Sequence, residues 1–277
     1  MAFNKRDRPL PLDPIAMVGI DLDGTLLRSD GTISMESAQV IAEVIQRGVK
    51  VVICTARPPR GAKAIHESLG LETLVVNNDG ALIQQPDLGQ IFFHQQLSSS
   101  LARTVIGVAR ACDPNLSVAV ESDDRLYSDR ASKVISADRA LCAGSNGYDH
   151  FDAILTEPVT KVVFVGDADS LSKVYVELSG GTIEDIAVTY SHRRLLQIVH
   201  SSVSKGKGLA KVADYYKIPR NQVMAIGDAP NDLSMIKWAG LGVAMTNAWT
   251  QIRAAAHLVV PSNDDDGVAY ALKRYVL

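Results

Sequence analysis

The sequence has few cysteines, no long apolar run and no excess of positive charge. Its three cysteines, Cys54, Cys112 and Cys142, are widely separated and show no CxxC spacing. The pattern therefore indicates neither a zinc site nor a disulfide framework, and it is typical of thiols in a reducing compartment. We accordingly predict a cytoplasmic protein.

No apolar run approaches the roughly 18 residues that a membrane-spanning helix requires. The first sixteen residues mix charges with prolines and lack the apolar centre of a secretory signal. We interpret residues 1–16 as a flexible leader, and we expect no membrane partner.

The charge balance excludes a broad class of partners. Lys and Arg total 28 against 31 Asp and Glu, which gives a formal net charge of -3. Without a basic excess, nucleic acid is not an expected partner. A hydrophobic content of 47% in 277 residues is typical of a folded protein with one large domain or two unequal ones. It is compatible with a monomer or a small homo-oligomer.

The first part of the chain alternates between strand-like and helix-like segments. Short β-branched runs suit strands of a buried parallel sheet, and the segments between them have helical apolar spacing. The order is strand 17–20, helix 34–48, strand 49–54, helix 62–69 and strand 74–76. This β-α-β-α-β pattern predicts an α/β fold with a parallel sheet.

The regular alternation of strand-like and helix-like segments stops at about residue 84 and resumes after residue 192. This middle part contains helix-like segments at 98–111 and 170–179, a hairpin around 122–124, and strands near 161–165, 186–190 and 195–199. After Ser204 the alternation resumes, with strands 223–226, 241–244 and 257–260. We predict a core of residues 17–83 and 194–277, interrupted by an α+β insert of residues 84–193.

Polar side chains follow several of the predicted strands. In open parallel sheets, ligands bind beyond the carboxyl ends of the strands. We therefore expect these side chains to gather around one crevice. They are Asp21, Asp23, Thr55, Asn78 and Asp228.

The segment Asp21-Leu22-Asp23-Gly24-Thr25 combines two carboxylates with a glycine turn. Residues two apart in an extended chain point the same way, and like charges so close favour a bound cation. Mg²⁺ is usually held by one or two carboxylates together with phosphate and water, and a carboxylate can attack phosphorus as a nucleophile. By itself, a DxD segment is more often a solvated turn.

Three further groups have both a chemical and an ordinary interpretation. Asp228 and Asp232 can complete a metal site, although Asp232 can equally be an acid that favours a helix N-terminus. Thr55 can donate its hydroxyl to phosphate, or it can simply form a turn. Lys205 lies in a glycine-rich segment suited to anions, or in a solvated basic loop.

Other polar segments receive a structural interpretation. Gly166-Asp167-Ala168-Asp169 is typical of a turn. The histidines show no spacing of metal ligands, and we expect structural roles for them. They are His66, His94, His150, His192, His200 and His257.

The ordered motifs DLDGTLL, TAR, NNDGALI, SKGKGL, GDAPND and VAMTNA resemble the haloacid dehalogenase superfamily. The similarity is greatest to its Cof-type phosphatases, which carry a large type II cap, and the late segment SNDDDGV fits that branch. The resemblance covers nearly the whole core. It implies a Rossmann-like core with the α+β insert as a cap that selects the substrate. Ala56 replaces a glycine found in many relatives.

The resemblance also implies roles for the residues singled out above. Asp21 is the expected nucleophile, and Asp23 the acid that protonates the leaving group and then activates water. Thr55 and Lys205 are expected to hold phosphoryl oxygens, with Asn78 and Asn231 facing phosphate or substrate. Mg²⁺ is the expected cofactor. Its expected ligands are Asp21, the Asp23 backbone carbonyl and Asp228, with Asp232 supporting them.

Two enzymatic functions and one non-enzymatic function fit this sequence. The first is a phosphatase acting through an aspartyl-phosphate on small phosphorylated metabolites, such as sugar phosphates or phosphorylated cofactors. The second is a phosphotransferase or phosphomutase on sugar phosphates, which the motifs do not exclude. The third, a non-catalytic binding module, is disfavoured because the key residues Asp21, Asp23, Lys205 and Asp228 are all present.

Overall fold

A computed structural model of the chain describes residues 13–129 and 151–277. The described chain divides into two compact units. The first comprises the residues up to Thr55, Ile65–Val76 and Lys205–Leu277, and the second comprises Ala56–Ala64 and Asn77–Ser204. Most of the predicted leader, residues 130–150 of the predicted insert, and therefore Cys142 and His150, lie outside the described residues.

A parallel sheet forms the centre of the first unit. Its five strands are β1 (Met17–Ile20), β2 (Lys50–Ile53), β11 (Val223–Gly227), β12 (Leu241–Met245) and β13 (Leu258–Val260). They lie in the order β13-β12-β11-β1-β2, and each neighbouring pair is parallel. Cys54, directly after β2, forms an isolated parallel bridge with Val76 of a further strand, β3 (Val75–Asn77). The predicted parallel α/β core is confirmed.

The central strands are buried along their whole length. All four residues of β1 and all five of β11 are buried. Strands covered on both faces require continuous apolar runs, because every side chain meets a neighbouring layer. Burying each Val, Ile or Met side chain contributes about 1.5–3 kcal/mol to the stability of the fold. The residues that follow these two strands are therefore held by a stable part of the sheet.

The helices of the first unit connect these strands. They are α1 (Met35–Gln46), α6 (Lys205–Tyr215), α7 (Leu233–Trp238), α8 (Thr250–Ala255) and α9 (Gly267–Tyr275). Helix α2 (Pro59–Ser68) begins in the 56–64 segment of the second unit and ends in the first. In α1, the Ser34 hydroxyl accepts a hydrogen bond from the Ser37 N–H at 2.9 Å and caps the helix. Val40, Ile41 and Val44 form its buried face.

The second unit is built around an antiparallel sheet. The elements of this unit are β4 (Leu82–Gln85), β5 (Gln90–His94), α3 (Ser99–Cys112), β6 (Ser117–Ser122), β7 (Arg125–Ser128), α4 (Phe151–Ile154), β8 (Lys161–Val165), α5 (Ala168–Ser179), β9 (Ile186–His192) and β10 (Leu195–His200). The sheet has the order β7-β6-β8-β10-β9. Helices α3 and α5 pack against each other and help to cover a core that includes Val105, Phe164 and Leu171.

Buried charged groups join the 56–64 segment to the rest of the second unit. The Arg60 guanidinium donates to both oxygens of Glu121, at 2.5 and 2.8 Å. The Lys161 ammonium, which is fully buried, donates to the Ala56 carbonyl at 2.6 Å and to Gln197 Oε1 at 2.9 Å. These hydrogen bonds compensate the cost of burying the charges.

Several elements have no counterpart in the sequence prediction. The β4–β5 hairpin and the helices α4, α8 and α9 were not predicted, because segments of four to nine residues are too short to establish a period. Asp167 does not form a simple turn but caps α5, since its Oδ1 accepts from the Ser170 N–H at 2.9 Å. No helix in the described parts of the chain is long and apolar enough to cross a membrane.

Candidate active site

Three strand ends meet at the carboxyl edge of the sheet in the first unit. In the sheet register, Ile20 of β1 lies level with Ile226 of β11 on one side and with Ile53 of β2 on the other. The residues that follow these three positions therefore emerge side by side. They include Asp21, Thr55 and Asp228.

Lys205 lies between two of the carboxylates. Its Nζ is 2.6 Å from Asp21 Oδ1 and 2.6 Å from Asp232 Oδ1, and the lysine side chain is 1% exposed. Lys205 is the first residue of α6, and its neighbour Gly206 lies so close to the Ser234 backbone that a Cβ would approach the Ser234 carbonyl oxygen to 2.5 Å. The lysine is thereby fixed at both its backbone and its ammonium group.

Asp228 is held from the β1 side of the site. Thr25 Oγ1 donates to Asp228 Oδ1 at 2.8 Å, and a Cβ on Gly24 would lie 2.6 Å from Asp228 Oδ2. Gly24 also has a φ of +83°, which favours glycine. The Asp-Gly-Thr order of the sequence thus gives a turn that lets Asp228 approach closely.

Asp232 stabilises the loop that follows β11 by accepting hydrogen bonds from its backbone. Its Oδ2 accepts hydrogen bonds from the backbone N–H groups of Asp228 and Ala229, both at 2.9 Å, while Oδ1 accepts from Lys205. Both oxygens of Asp232 therefore already accept protein donors. This geometry suits a residue that orients Asp228 and Lys205.

Burial and mutual repulsion change the acidity of this cluster. Burial raises the pKa of Asp21 well above its usual value, the carboxylates of Asp232, Asp228 and Asp23 raise it further, and the Lys205 ammonium opposes the rise. The pKa of Asp228 rises to about 7, chiefly through burial and then through Asp232, with the Thr25 hydrogen bond opposing. The cluster thus lacks sufficient positive charge to keep all its carboxylates ionised.

The donor set fits a hard divalent cation. One oxygen each from Asp21, Asp228 and Asp232 can be chosen so that all lie within 4.8 Å of one another. Three carboxylates face one lysine ammonium, which leaves an excess of buried negative charge. Oxygen ligands and negative charge are what Mg²⁺ selects, so the residues present fit such an ion.

The remaining predicted site residues lie in different places. Asp23 is exposed at the start of the loop, and Thr55 is fully buried, with its N–H donating to the Val76 carbonyl at 2.8 Å. Asn231 is buried in the turn Pro230–Asp232 of the first unit. Asn78 is buried in the second unit with a φ of 48°, and its predicted position in the same crevice stays a prediction.

The sequence profile of the haloacid dehalogenase-like hydrolases matches residues 18–272. The chain belongs to this family. Two similar hydrolases from Bacillus subtilis, YitU and YwtE, are named as 5-amino-6-(5-phospho-D-ribitylamino)uracil phosphatases. YitU is 30% identical over 266 residues, which cover 94% of this chain and 97% of the relative. YwtE is 31% identical over 283 residues, with 91% and 95% covered.

A solved structure supports the same assignment of the fold. The subclass IIB sugar phosphatase BT4131 of this superfamily superposes with a TM-score of 0.80 at 16% identity, covering 94% of this chain and 98% of that one. At this identity the likeness concerns the fold. Together with the profile match and the named phosphatases, it makes this chain a Cof-type hydrolase of the superfamily and an enzyme of the phosphatase type.

Sequence reasoning missed the part that Thr25 plays in this hydrolase. Thr25 was treated as part of a turn, whereas its hydroxyl is the donor that orients Asp228. The signal available was a hydroxyl residue directly after the Asp23-Gly24 turn, but the partner lies some two hundred positions later. No local pattern encodes such a pairing.

Proposed function

We propose that this enzyme is a Mg²⁺-dependent phosphatase that hydrolyses small phosphorylated metabolites through an aspartyl-phosphate on Asp21. The observation that carries the proposal is the position of the Asp21 carboxylate. It lies at the end of β1, 2.6 Å from the Lys205 ammonium and beside the carboxylates of Asp228 and Asp232. Phosphoryl transfer depends mainly on positioning and charge neutralisation, which such an arrangement provides.

The carboxylates of Asp21 and Asp228 and the Asp23 backbone carbonyl would hold the cation, with Asp232 orienting Asp228. When bound, Mg²⁺ supplies positive charge that offsets the charge on the carboxylates and on the transferred phosphoryl group. The raised pKa values of Asp21 and Asp228 support this assignment, because burial and mutual repulsion disfavour the ionised carboxylates and a bound cation would offset both.

In the first half-reaction, an Asp21 oxygen attacks phosphorus while the bond to the leaving oxygen breaks. Asp23 gives its proton to that oxygen, so that an alcohol departs. Lys205 and the Thr55 hydroxyl bind oxygens of the phosphoryl group. Lys205 is well suited to this role because it already contacts the nucleophile.

In the second half-reaction, Asp23 takes a proton from water, and the water oxygen bonds to phosphorus. The bond from phosphorus to Asp21 then breaks, which releases inorganic phosphate and restores the carboxylate. Asn231 and Asn78 are proposed to face the phosphate or the substrate. The insert of residues 84–193 is proposed to act as the cap that selects the substrate.

We propose a phosphate ester of a sugar or sugar alcohol, free or within a cofactor precursor, as the substrate class. The support is that YitU and YwtE are named for a phosphoribityl-aminouracil substrate. A panel of phosphorylated metabolites that begins with this compound, measured by phosphate release, tests the class. Interconversion of hexose phosphates without phosphate release would instead identify a phosphomutase.

Replacement of the nucleophile tests the mechanism. With p-nitrophenyl phosphate and Mg²⁺, we expect Asp21→Asn to lose at least about 10³-fold in kcat, since an amide cannot replace the attacking carboxylate. Asp167→Asn is the matched control, because Asn caps a helix about as well as Asp. Undiminished turnover by Asp21→Asn would contradict the mechanism.

A further inference from the structure

Two asparagines from the C-terminal part of the chain donate hydrogen bonds to the loop that follows β1. Asn247 Nδ2 donates to the Gly24 carbonyl at 2.8 Å, and Asn263 Nδ2 donates to the Leu27 carbonyl at 2.9 Å. The two asparagines are themselves joined, because the Asn263 N–H donates to Asn247 Oδ1 at 3.2 Å. We call this pair the asparagine clamp.

The acidic residues beside the clamp hold the next part of the same loop. Asp264 accepts from the Ser29 N–H at 2.8 Å and from the Ser29 hydroxyl at 2.6 Å. Asp266 accepts from the Arg28 guanidinium at 3.1 and 3.2 Å. The motif SNDDDGV, which the catalytic chemistry does not use, thus has a defined partner in the first unit.

The turn that presents Asn263 is tightly constrained. Residues Asn263–Asp265 form a helical turn, and Asp266 follows in the left-handed region with a φ of 57°. A Cβ on Gly267 would lie 2.0 Å from the Pro261 carbonyl oxygen. Asn263 is buried, and both its backbone N–H and its side-chain amide make hydrogen bonds.

The clamp acts on the residues that flank Asp23. On one side, the Leu22 carbonyl accepts from the N–H groups of Thr25 and Leu27 at 3.3 and 2.8 Å. On the other side, the Gly24 carbonyl is held by Asn247. The backbone on both sides of Asp23 is thus hydrogen-bonded, which fixes the position from which its exposed side chain projects.

We propose that Asn247 and Asn263 are positioning residues that fix the Asp23-Gly24-Thr25 turn and so aim the Asp23 carboxyl at the leaving group. The inference rests on the proposed function, in which Asp23 is the acid. Asn247 is exposed, and the two hydrogen bonds of its side chain contribute little to stability because water can replace exposed hydrogen bonds. The Asn247 side chain can therefore be changed in a folded protein.

The way in which the rate depends on the leaving group distinguishes a positioning role of Asn247 and Asn263 from a merely structural role. p-Nitrophenolate is a stable anion that departs with little help, whereas the phenolate of phenyl phosphate is more basic and gains more from protonation. A misdirected Asp23 should therefore slow phenyl phosphate more than p-nitrophenyl phosphate. General damage to the fold or to metal binding should slow both substrates alike.

The experiment compares kcat/KM for the two esters in wild type, Asn247→Leu and Asn263→Ser, with the melting temperature of each variant. We expect losses of about threefold with p-nitrophenyl phosphate and at least about 30-fold with phenyl phosphate, and Asp23→Asn should show the same pattern. Glu36→Gln is the control, because it removes an exposed ion pair to Lys273 in the same unit and leaves the loop untouched.

Equal losses with both esters, or losses no larger than those of Glu36→Gln, would overturn the positioning role while leaving the proposed function intact. An Asp23→Asn variant without leaving-group dependence would overturn it as well. Wild type that releases phosphate from neither ester nor any member of the metabolite panel would instead overturn the proposed function, and this inference with it. If Asn263→Ser melts at a much lower temperature, the exposed Asn247 variant decides.

Discussion

At the scale of single residues, Lys205 is the cation on which the site depends. Its ammonium contacts Asp21 and Asp232 inside the protein. Breaking a buried ion pair by removing one partner is costly, because the remaining charge is left without compensation. Lys205 should consequently matter for both folding and chemistry.

We therefore predict that Lys205→Met lowers the free energy of unfolding at pH 7.5 by about 3–5 kcal/mol and kcat by at least about 10²-fold. The stability difference should shrink as the pH falls, because burial raises the pKa of Asp21 and its protonated form no longer needs the ammonium. Urea unfolding at pH 7.5 and at acid pH, together with phosphate release, measures these effects. Lys273→Met, which removes an exposed ion pair, is the control and should change stability by less than about 1 kcal/mol. An equal effect of the two substitutions would refute the role given to Lys205.

At the scale of elements, the loop after β1 depends on close backbone approach. Gly24 and Gly48 have nearly equal φ values, +83° and +82°, but only the Gly24 position faces a neighbour, Asp228, within reach of a Cβ. The two glycines therefore separate the cost of backbone strain from the cost of displacing Asp228.

For Gly24→Ala and Gly48→Ala, we predict similar losses of about 1 kcal/mol from strain, because alanine resists a positive φ. Gly24→Ala should in addition weaken Mg²⁺ activation by at least about tenfold, since its methyl group would displace the Asp228 carboxylate. Mg²⁺ titration of activity and thermal unfolding provide the two readouts. The same Mg²⁺ dependence in both variants would show that the Gly24 contact has no bearing on the metal.

The elements also show what the sequence could and could not predict. Buried β-branched runs made β1, β2 and β11 predictable, and Asp21 and Asp228 follow from the ends of these strands. The hydrogen bonds from Asn247 to Gly24 and from Thr25 to Asp228 join residues more than two hundred positions apart, and no periodicity encodes them. Strand β5 was not predicted, because most of its side chains are exposed and its sequence has no alternation of buried and exposed positions.

At the scale of the whole molecule, the acidic cluster links stability to pH and metal. The pKa of Asp228 is about 7 in the folded protein, whereas an unfolded Asp titrates near pH 4. A folded pKa above the unfolded one means that stability is fully present below about pH 4 and is lost as the pH rises through 7. Asp21 acts in the same direction. The metal-free fold is thus weakened by its own carboxylates at alkaline pH.

Bound Mg²⁺ should reverse this loss, because the cation binds the ionised carboxylates. We predict that saturating Mg²⁺ raises the melting temperature more at pH 8 than at pH 5.5, and that Asp228→Asn reduces the difference. Differential scanning fluorimetry with Mg²⁺ or with EDTA measures both effects. A Mg²⁺ shift of equal size at the two pH values would contradict the proposed ligand set.

The central claim is that Asp21 carries the phosphoryl group during turnover. The most direct measurement is rapid acid quenching of the enzyme with excess substrate and Mg²⁺, followed by mass spectrometry of the peptide that contains Asp21. We predict an alkali-labile phosphoryl group on Asp21 in wild type and none in Asp21→Asn. Hydrolysis by wild type with the phosphoryl group on another residue, or an Asp21→Asn variant that still releases phosphate at the wild-type rate, would contradict the account.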